Sequence, residues 1–394
     1  MNKNLWLLAL CQGLLLTNNV VFIAINGLVG LQLAPFGWMA TLPVMGYVVG
    51  GALSTPLVAA SQARWGRRAS FQLGLAIAFL SAALCAWAAF SASFWLLCVA
   101  TVIAGYYNAN GQLYRFAAAE LAAPSFREKA VSLVLAGGLI GAVAGPNLAS
   151  GTRTLFAIPF AGAYIALMLV ALLSMVCMAA VRFEDMAPPA PSAAAPPAGR
   201  SLGMLLRQPA FAVAVLGAAL GYGVMNLLMA ATPIAMQQCS HPFSSAALVL
   251  ELHVLGMYVP SFFTGRLIQR FGALPVMGVG VLLNVACVMV ALSGVDLMQF
   301  AVALAVLGVG WNFLYTGGST LLTRTYRPEE KNKAQGAMDF CVFSTMMVSS
   351  FASGALITTQ GWTWLNLGSL VPLTLVASAL IWLALKQRSR AAIA

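Results

Sequence analysis

No charged side chain occurs between Lys3 and Arg64. One transmembrane helix needs about 20 apolar residues, so this stretch is long enough to cross a bilayer twice. Similar runs recur to the end of the chain. They place twelve spans near 5–32, 38–61, 69–90, 93–119, 128–152, 156–181, 208–237, 243–266, 273–293, 297–323, 333–357 and 363–385. A transmembrane β-barrel is built from segments of about ten residues with alternating polarity, and these runs are much longer. The first run has no small-residue cleavage site ahead of a polar chain, so it reads as a retained span rather than a signal peptide. The chain is 61% hydrophobic and 7% charged, far from the balance of a soluble domain. The expected fold is all-α and polytopic, with twelve transmembrane helices in the lipid bilayer.

The net charge of +11 invites a nucleic-acid reading. The positions of the charges argue for topology instead, with no nucleic-acid partner. Lys3 precedes the first span. Arg64, Arg67 and Arg68 follow the second, Arg127 and Lys129 the fourth, and Arg182, Arg200 and Arg207 the sixth. Arg266 and Arg270 follow the eighth, Arg324, Arg327, Lys331 and Lys333 the tenth, and Lys386, Arg388 and Arg390 the twelfth. The opposite set of loops holds only Arg153. The positive-inside rule then puts both termini in the cytoplasm. Seven cysteines are scattered with no CxxC, so neither a disulfide framework nor a zinc site is expected.

Residues 182–207 break the pattern with a Pro- and Ala-rich linker. It separates an expected six-helix bundle at 1–181 from a second at 208–394. The halves repeat each other. RWGRR at Arg64–Arg68 answers RFGAL at Arg270–Leu274, and Asn108 in GYYNAN stands 204 positions before Asn312 in GVGWNF. FREKA, ending at Ala130, stands 204 before EEKNKA, ending at Ala334. Such duplication is a transporter architecture, with the site near mid-membrane. Six plus six spans, the basic glycine turns after spans two and eight, and the Gly-Pro pair in GGLIGAVAGPNL of span five resemble the major facilitator superfamily. The resemblance covers nearly the whole chain and implies two pseudo-symmetric six-helix bundles. One departure stands out. The acidic residue usual three positions before the turn glycine is Ala63 here and Gln269 in the second copy. The arginines alone are left to bind helix C-terminal carbonyls.

Polar residues inside spans tend to face a cavity. Gln12, Asn19 and Asn26 recur every seven residues in span one, Asn108, Gln112 and Arg115 share a face of span four, and Asn312, Thr316 and Ser319 repeat that spacing in span ten. They are expected to line a central path, against the alternative of interhelical hydrogen bonds alone. Arg115 and Glu120 suit an ion pair or gate contact. Asp339 suits a coupling proton or an arginine partner.

Span seven carries Met225 and Met229, four apart, and span eight carries His253 and Met257, also four apart. Residues at i and i+4 share a helix face. With span seven running outward and span eight inward, Met229 and His253 fall roughly 12–15 Å below the outer surface, and Met225 and Met257 roughly 18–21 Å. Either motif alone suits ordinary packing. Two rungs at matched depth suit a soft metal ion, because thioethers favour Cu(I) and imidazole accepts copper in either oxidation state. Zinc would take more nitrogen, thiolate or carboxylate ligands. Met236, Cys239 and His241 continue the line to the outer mouth as transient ligands. Glu251 points about 160° from His253 around the helix, so a cation partner or a proton suits it better than the ion.

MxxxM followed by HxxxM, with 24 positions between Met229 and His253, looks like the signature of the CcoA-type copper importers of bacterial inner membranes. That resemblance implies copper as the transported substrate, no permanently bound cofactor, and delivery toward assembly of cbb3-type cytochrome c oxidase. A thiol at the outer end of span seven is implicated in that family, and Cys239 fits. Relatives lacking the signature include riboflavin importers of the RfnT type. The expectation is a monomeric copper importer of the inner membrane working by alternating access, with a cytoplasmic copper chaperone as receiver. No ATP-binding loop is present, so a gradient or chaperone capture would drive it. The rivals are an organic-solute importer, riboflavin among them, and a proton-coupled drug exporter. An enzyme is not expected, because the sequence shows no catalytic triad or phosphate loop.

Overall fold

The computed structural model describes residues 3–123, 126–183 and 199–391. Among them every regular element is a helix. In chain order these are α1 (Lys3–Leu33), α2 (Leu42–Phe90), α3 (Phe94–Gly111), α4 (Tyr114–Leu121), α5 (Arg127–Thr152), α6 (Ala161–Ala180) and α7 (Leu202–Leu206). The second half holds α8 (Pro209–Gln238), α9 (Phe243–Tyr258), α10 (Ser261–Phe271), α11 (Ala273–Leu292), α12 (Leu297–Thr323), α13 (Lys331–Thr359) and α14 (Gly361–Ala391).

Each of the twelve expected spans overlaps helix, with span six starting at Ala161 rather than at 156. At ~1.5 Å per residue a straight helix of 49 residues would run about 74 Å, more than twice the ~30 Å hydrocarbon core. So α2 is two spans, and Gly66 makes the turn between them with φ 77, a backbone region that glycine enters without steric cost. Span four is α3 with α4. Span eight is α9 with α10, bent by 41°. That bend falls at Pro260, whose missing N–H removes one rung of the ladder. Bulky apolar side chains such as Trp87, Val176, Leu282 and Phe340 stay exposed on the helix surfaces, where lipid rather than water would solvate them.

The described chain divides into two compact units, Met1–Pro189 with Ala230–Glu251, and Ala190–Met229 with Leu252–Ala394. In the first, α1 packs along α5, and α2 along α3 and α6. The small stripe of span five explains the first of these contacts. A Cβ on Gly137 would strike the backbone of Ala9, and one on Gly141 would strike Gly13 and Thr17. The core of this unit includes Leu8, Phe71, Leu75, Tyr114 and Met178. In the second unit α11 packs along α12 and α14, around Phe211, Met277, Leu314 and Val376.

Of the linker, residues 184–198 lie outside the described residues. Its end is tied down within the second unit. The Arg200 backbone N–H, Nε and Nη2 all donate to the buried Glu330 carboxylate at 2.7–2.8 Å, and Lys333 Nζ donates to the Arg200 carbonyl at 2.8 Å.

Candidate functional site

Met225 and Met229 lie on one face of α8, and His253 and Met257 on α9. All four are buried, and all four belong to the second compact unit. His253 is 0% exposed, yet its two ring nitrogens differ. Nδ1 lies 2.7 Å from the Leu304 carbonyl of α12. A carbonyl oxygen only accepts, so Nδ1 carries the proton. Nε2 is buried with no hydrogen-bond partner among the described residues. In the neutral ring that nitrogen holds the lone pair, which is the form a metal ligand needs. A backbone carbonyl on the opposite nitrogen is also the usual way to fix a ligating imidazole.

The reach from α12 to His253 depends on two glycines. A Cβ on Gly308 would fall on the His253 carbonyl, the Gly256 carbonyl carbon and the Met257 nitrogen, and one on Gly256 would meet Ala305. Without side chains at these two positions, α9 and α12 approach backbone to backbone. At Tyr258 α9 stops, one residue after Met257. The Met257 carbonyl accepts from Asn312 Nδ2 at 2.8 Å.

The outer members of the expected line fall in the other compact unit. Met236, Cys239 and His241 belong to the first unit. Met236 is buried, Cys239 half-buried, and the His241 backbone N–H donates to the Met236 carbonyl. His241 also lines a cavity of about 30 Å³ with Gln32, Arg153, Phe160, Gln237 and Phe243. There the Arg153 guanidinium stands 5.4 Å from the Phe160 ring and 5.7 Å from the Phe243 ring. Glu251 accepts from Asn147 Nδ2 at 2.9 Å, so its described partner is an amide beside the Gly-Pro pair of α5.

Of the expected path residues, Asn19 donates to Asn108 Oδ1 at 3.2 Å and accepts from the Tyr47 hydroxyl, and Gln112 donates to the same Asn108 oxygen at 3.4 Å. This chain joins α1, α2 and α3. Gln12 and Arg115 are partly exposed, and the Arg115 guanidinium lies over Phe116. Asn26 is buried and accepts from Tyr164 of α6 at 2.5 Å. Thr316 and Ser319 are partly exposed on α12, and Asp339 is exposed on α13. Asn312 is different. It is 2% exposed, and its hydrogen bonds go to α9 and α10.

Glu120 pairs with Arg67, not with Arg115. The acid missing at Ala63 is therefore supplied by α4. Arg68 meanwhile donates to the Ala179 carbonyl at the end of α6 at 2.7 Å, the role left open to these arginines. Both partners of the Arg67–Glu120 pair are about a quarter to a third exposed. An Arg67→Ala/Glu120→Ala double-mutant cycle, read by SDS unfolding in mixed micelles, is expected to give a coupling under about 1 kcal/mol that shrinks in high salt. Several kcal/mol would contradict that.

Four aromatic residues complete the region. Tyr222 of α8, Tyr258 of α9, and Trp311 and Tyr315 of α12 form an aromatic box. Tyr222 meets Trp311 edge-on at 5.2 Å, and Trp311 stacks on Tyr315 at 5.2 Å with 8° between planes. The Trp311 Nε1–H is buried without a partner among the described residues. The GWNFLY segment hinted at this box, but nothing in spans seven or eight marked Tyr222 and Tyr258 as its other walls.

A family model described as Major Facilitator Superfamily matches residues 5–260 and 214–393. The chain belongs to the Major Facilitator Superfamily. Members of this superfamily are transporters, and the relatives found are transporters rather than enzymes. The riboflavin transporter RfnT of Brucella anthropi is 36% identical over 370 residues, 92% of this chain and 91% of that protein. The uncharacterized MFS-type transporter YddS of Bacillus subtilis is 30% identical over 361 residues, covering 87% and 82%. The solved structure of the POT family transporter PepTSo shares the fold, with a TM-score of 0.74 at 13% identity over 99% of this chain and 98% of that one. What is established is thus a multi-pass superfamily transporter.

Proposed function

We propose that this transporter imports copper, in the cuprous state that thioethers favour, across the bacterial inner membrane by alternating access. The observation that carries the reading is His253. Its Nδ1–H is committed to Leu304 and its Nε2 is buried and unsatisfied. A buried polar atom without a partner costs roughly 1–3 kcal/mol, and a soft cation bound at that atom would remove the penalty. Met257 stands one helical turn away, and Met225 and Met229 share a face of α8. Together they offer three thioethers and one imidazole, all uncharged.

A second reading has its own support. RfnT is named for riboflavin, and relatedness by itself favours that cargo over copper. The box of Tyr222, Tyr258, Trp311 and Tyr315 is a stacking surface for a flat heteroaromatic solute, with the free Trp311 N–H as a hydrogen-bond donor.

The deciding experiment measures accumulation of radioactive copper and of labelled riboflavin by cells expressing the chain, its Met229→Ala variant and its Trp311→Phe variant. Copper uptake lost in Met229→Ala and retained in Trp311→Phe supports the first reading. Riboflavin uptake indifferent to Met229 and reduced by Trp311→Phe overturns it in favour of the second.

A further inference from the structure

The break between α9 and α10 begins one residue after Met257, and one side chain spans it. Pro260 has no N–H to offer the Gly256 carbonyl, so the helical ladder is interrupted there. Asn312 of α12 uses both protons of its amide across the gap. Nδ2 donates to the Met257 carbonyl at 2.8 Å on the α9 side and to Ser261 Oγ at 2.7 Å on the α10 side. Its Oδ1 lies 2.7 Å from Thr264 Oγ1, whose single proton is shared with the Pro260 carbonyl at 2.8 Å. Thr264 is fully buried. Every hydrogen-bonding capacity of this amide except one lone pair is thus committed to the two segments that meet at the break.

The first half of the chain supplies a comparison. Pro56 and Pro260 stand 204 positions apart, the spacing that also relates Asn108 to Asn312. Yet α2 continues through Pro56, and Asn108 turns to Asn19 and Gln112. A proline alone does not produce the break. The broken helix occurs where the asparagine reaches across it, in the half that carries the His and Met residues.

We infer that Asn312 is a positioning residue for Met257, holding α9 broken so that the thioether is presented at a helix end rather than in mid-helix. The inference rests on the copper reading. Through Leu304 and Asn312, about two turns apart, α12 fixes both members of the HxxxM pair without contributing a ligand. The Leu304 carbonyl sets which nitrogen of His253 is free. The Asn312 amide sets where α9 ends.

The test uses the full-length protein in nanodiscs, with silver(I) as a redox-stable stand-in for the cuprous ion. Isothermal titration is paired with amide exchange over residues 255–265. Asn312→Ala should weaken silver binding about 10–100-fold, the usual cost of losing a group that orients a ligand, and should speed exchange around the break. A Pro260→Ala/Asn312→Ala double variant can close the helical ladder unaided. It should regain slow exchange and remain weak for silver. Unchanged silver affinity in Asn312→Ala overturns the inference while leaving the copper reading standing. So does recovery of affinity in the double variant, because that would make the role of Asn312 purely structural. A wild-type chain that ignores silver overturns the copper reading, and the exchange data then judge whether Asn312 holds the break.

Discussion

His253→Ala is expected to reduce copper accumulation to that of cells lacking the transporter, while the chain still reaches the membrane in normal amount. The substitution removes the one proposed nitrogen ligand and with it the bond to Leu304. The stranded carbonyl costs about 1–3 kcal/mol, and the lost ring leaves a void of the kind that costs a few kcal/mol more. His253→Gln is the useful companion, because its amide refills much of the space and can donate to Leu304 but offers no imidazole. Both variants should fail in uptake, with immunoblots of the membrane fraction matching wild type. Copper accumulation at the wild-type rate in either would remove His253 from the site.

Gly308→Val is expected to abolish silver(I) binding without replacing any proposed ligand. A Cβ at this position would lie 2.9 Å from the Gly256 carbonyl carbon and from the Met257 nitrogen, and closer still to the His253 carbonyl. These neighbours are main chain, so no side chain can rotate away. The two helices must separate, at a cost of about 1–3 kcal/mol or more. Separation stretches the 2.7 Å bond between Leu304 and His253 and draws Asn312 from the end of α9. A lowered thermal midpoint together with lost binding is the expected pair of results, with Gly308→Ala intermediate in both. Wild-type affinity in Gly308→Val would show that the approach of α9 and α12 does not govern the ligand geometry.

The architecture was legible because burial in lipid forces every backbone group into helix. Charge-free runs between basic clusters therefore located the spans directly. Helix and span disagree in three places: Gly66 lets two spans follow each other with little loop, a turn at Gln112 and Leu113 interrupts span four, and span eight breaks at Pro260. Spacing placed Met225 with Met229 and His253 with Met257, since i and i+4 share a face in any helix. It left invisible what lies across from them. The atom that fixes His253 is a backbone carbonyl, which any residue at 304 would supply. The approach that brings it there depends on Gly256 and Gly308, two of 36 glycines. The repeat spacing makes Asn108 and Asn312 equivalent linings of one path, yet the first bonds within α1–α3 and the second is enclosed at a helix break. Repeat symmetry describes the backbone, and each half has put its amide to different use. Glu120 likewise met Arg67 rather than Arg115 because the turn at Gly66 brings the basic loop to α4.

The committed nitrogen of His253 has an electrical consequence. With Nδ1–H held by a carbonyl, the ring meets an ion only through Nε2, as a neutral donor. Methionine sulfur is neutral as well, and the one carboxylate on α9, Glu251, is engaged by Asn147. An ion carried by such a set keeps its whole charge, and its binding releases no proton from the site. Each monovalent ion would then move one full positive charge through the membrane field, which is worth about 2.3 kcal/mol per 100 mV. With the cytoplasm negative, that corresponds to roughly a fifty-fold accumulation per 100 mV. The voltage across the membrane would be sufficient to drive uptake, with no need for a co-transported proton.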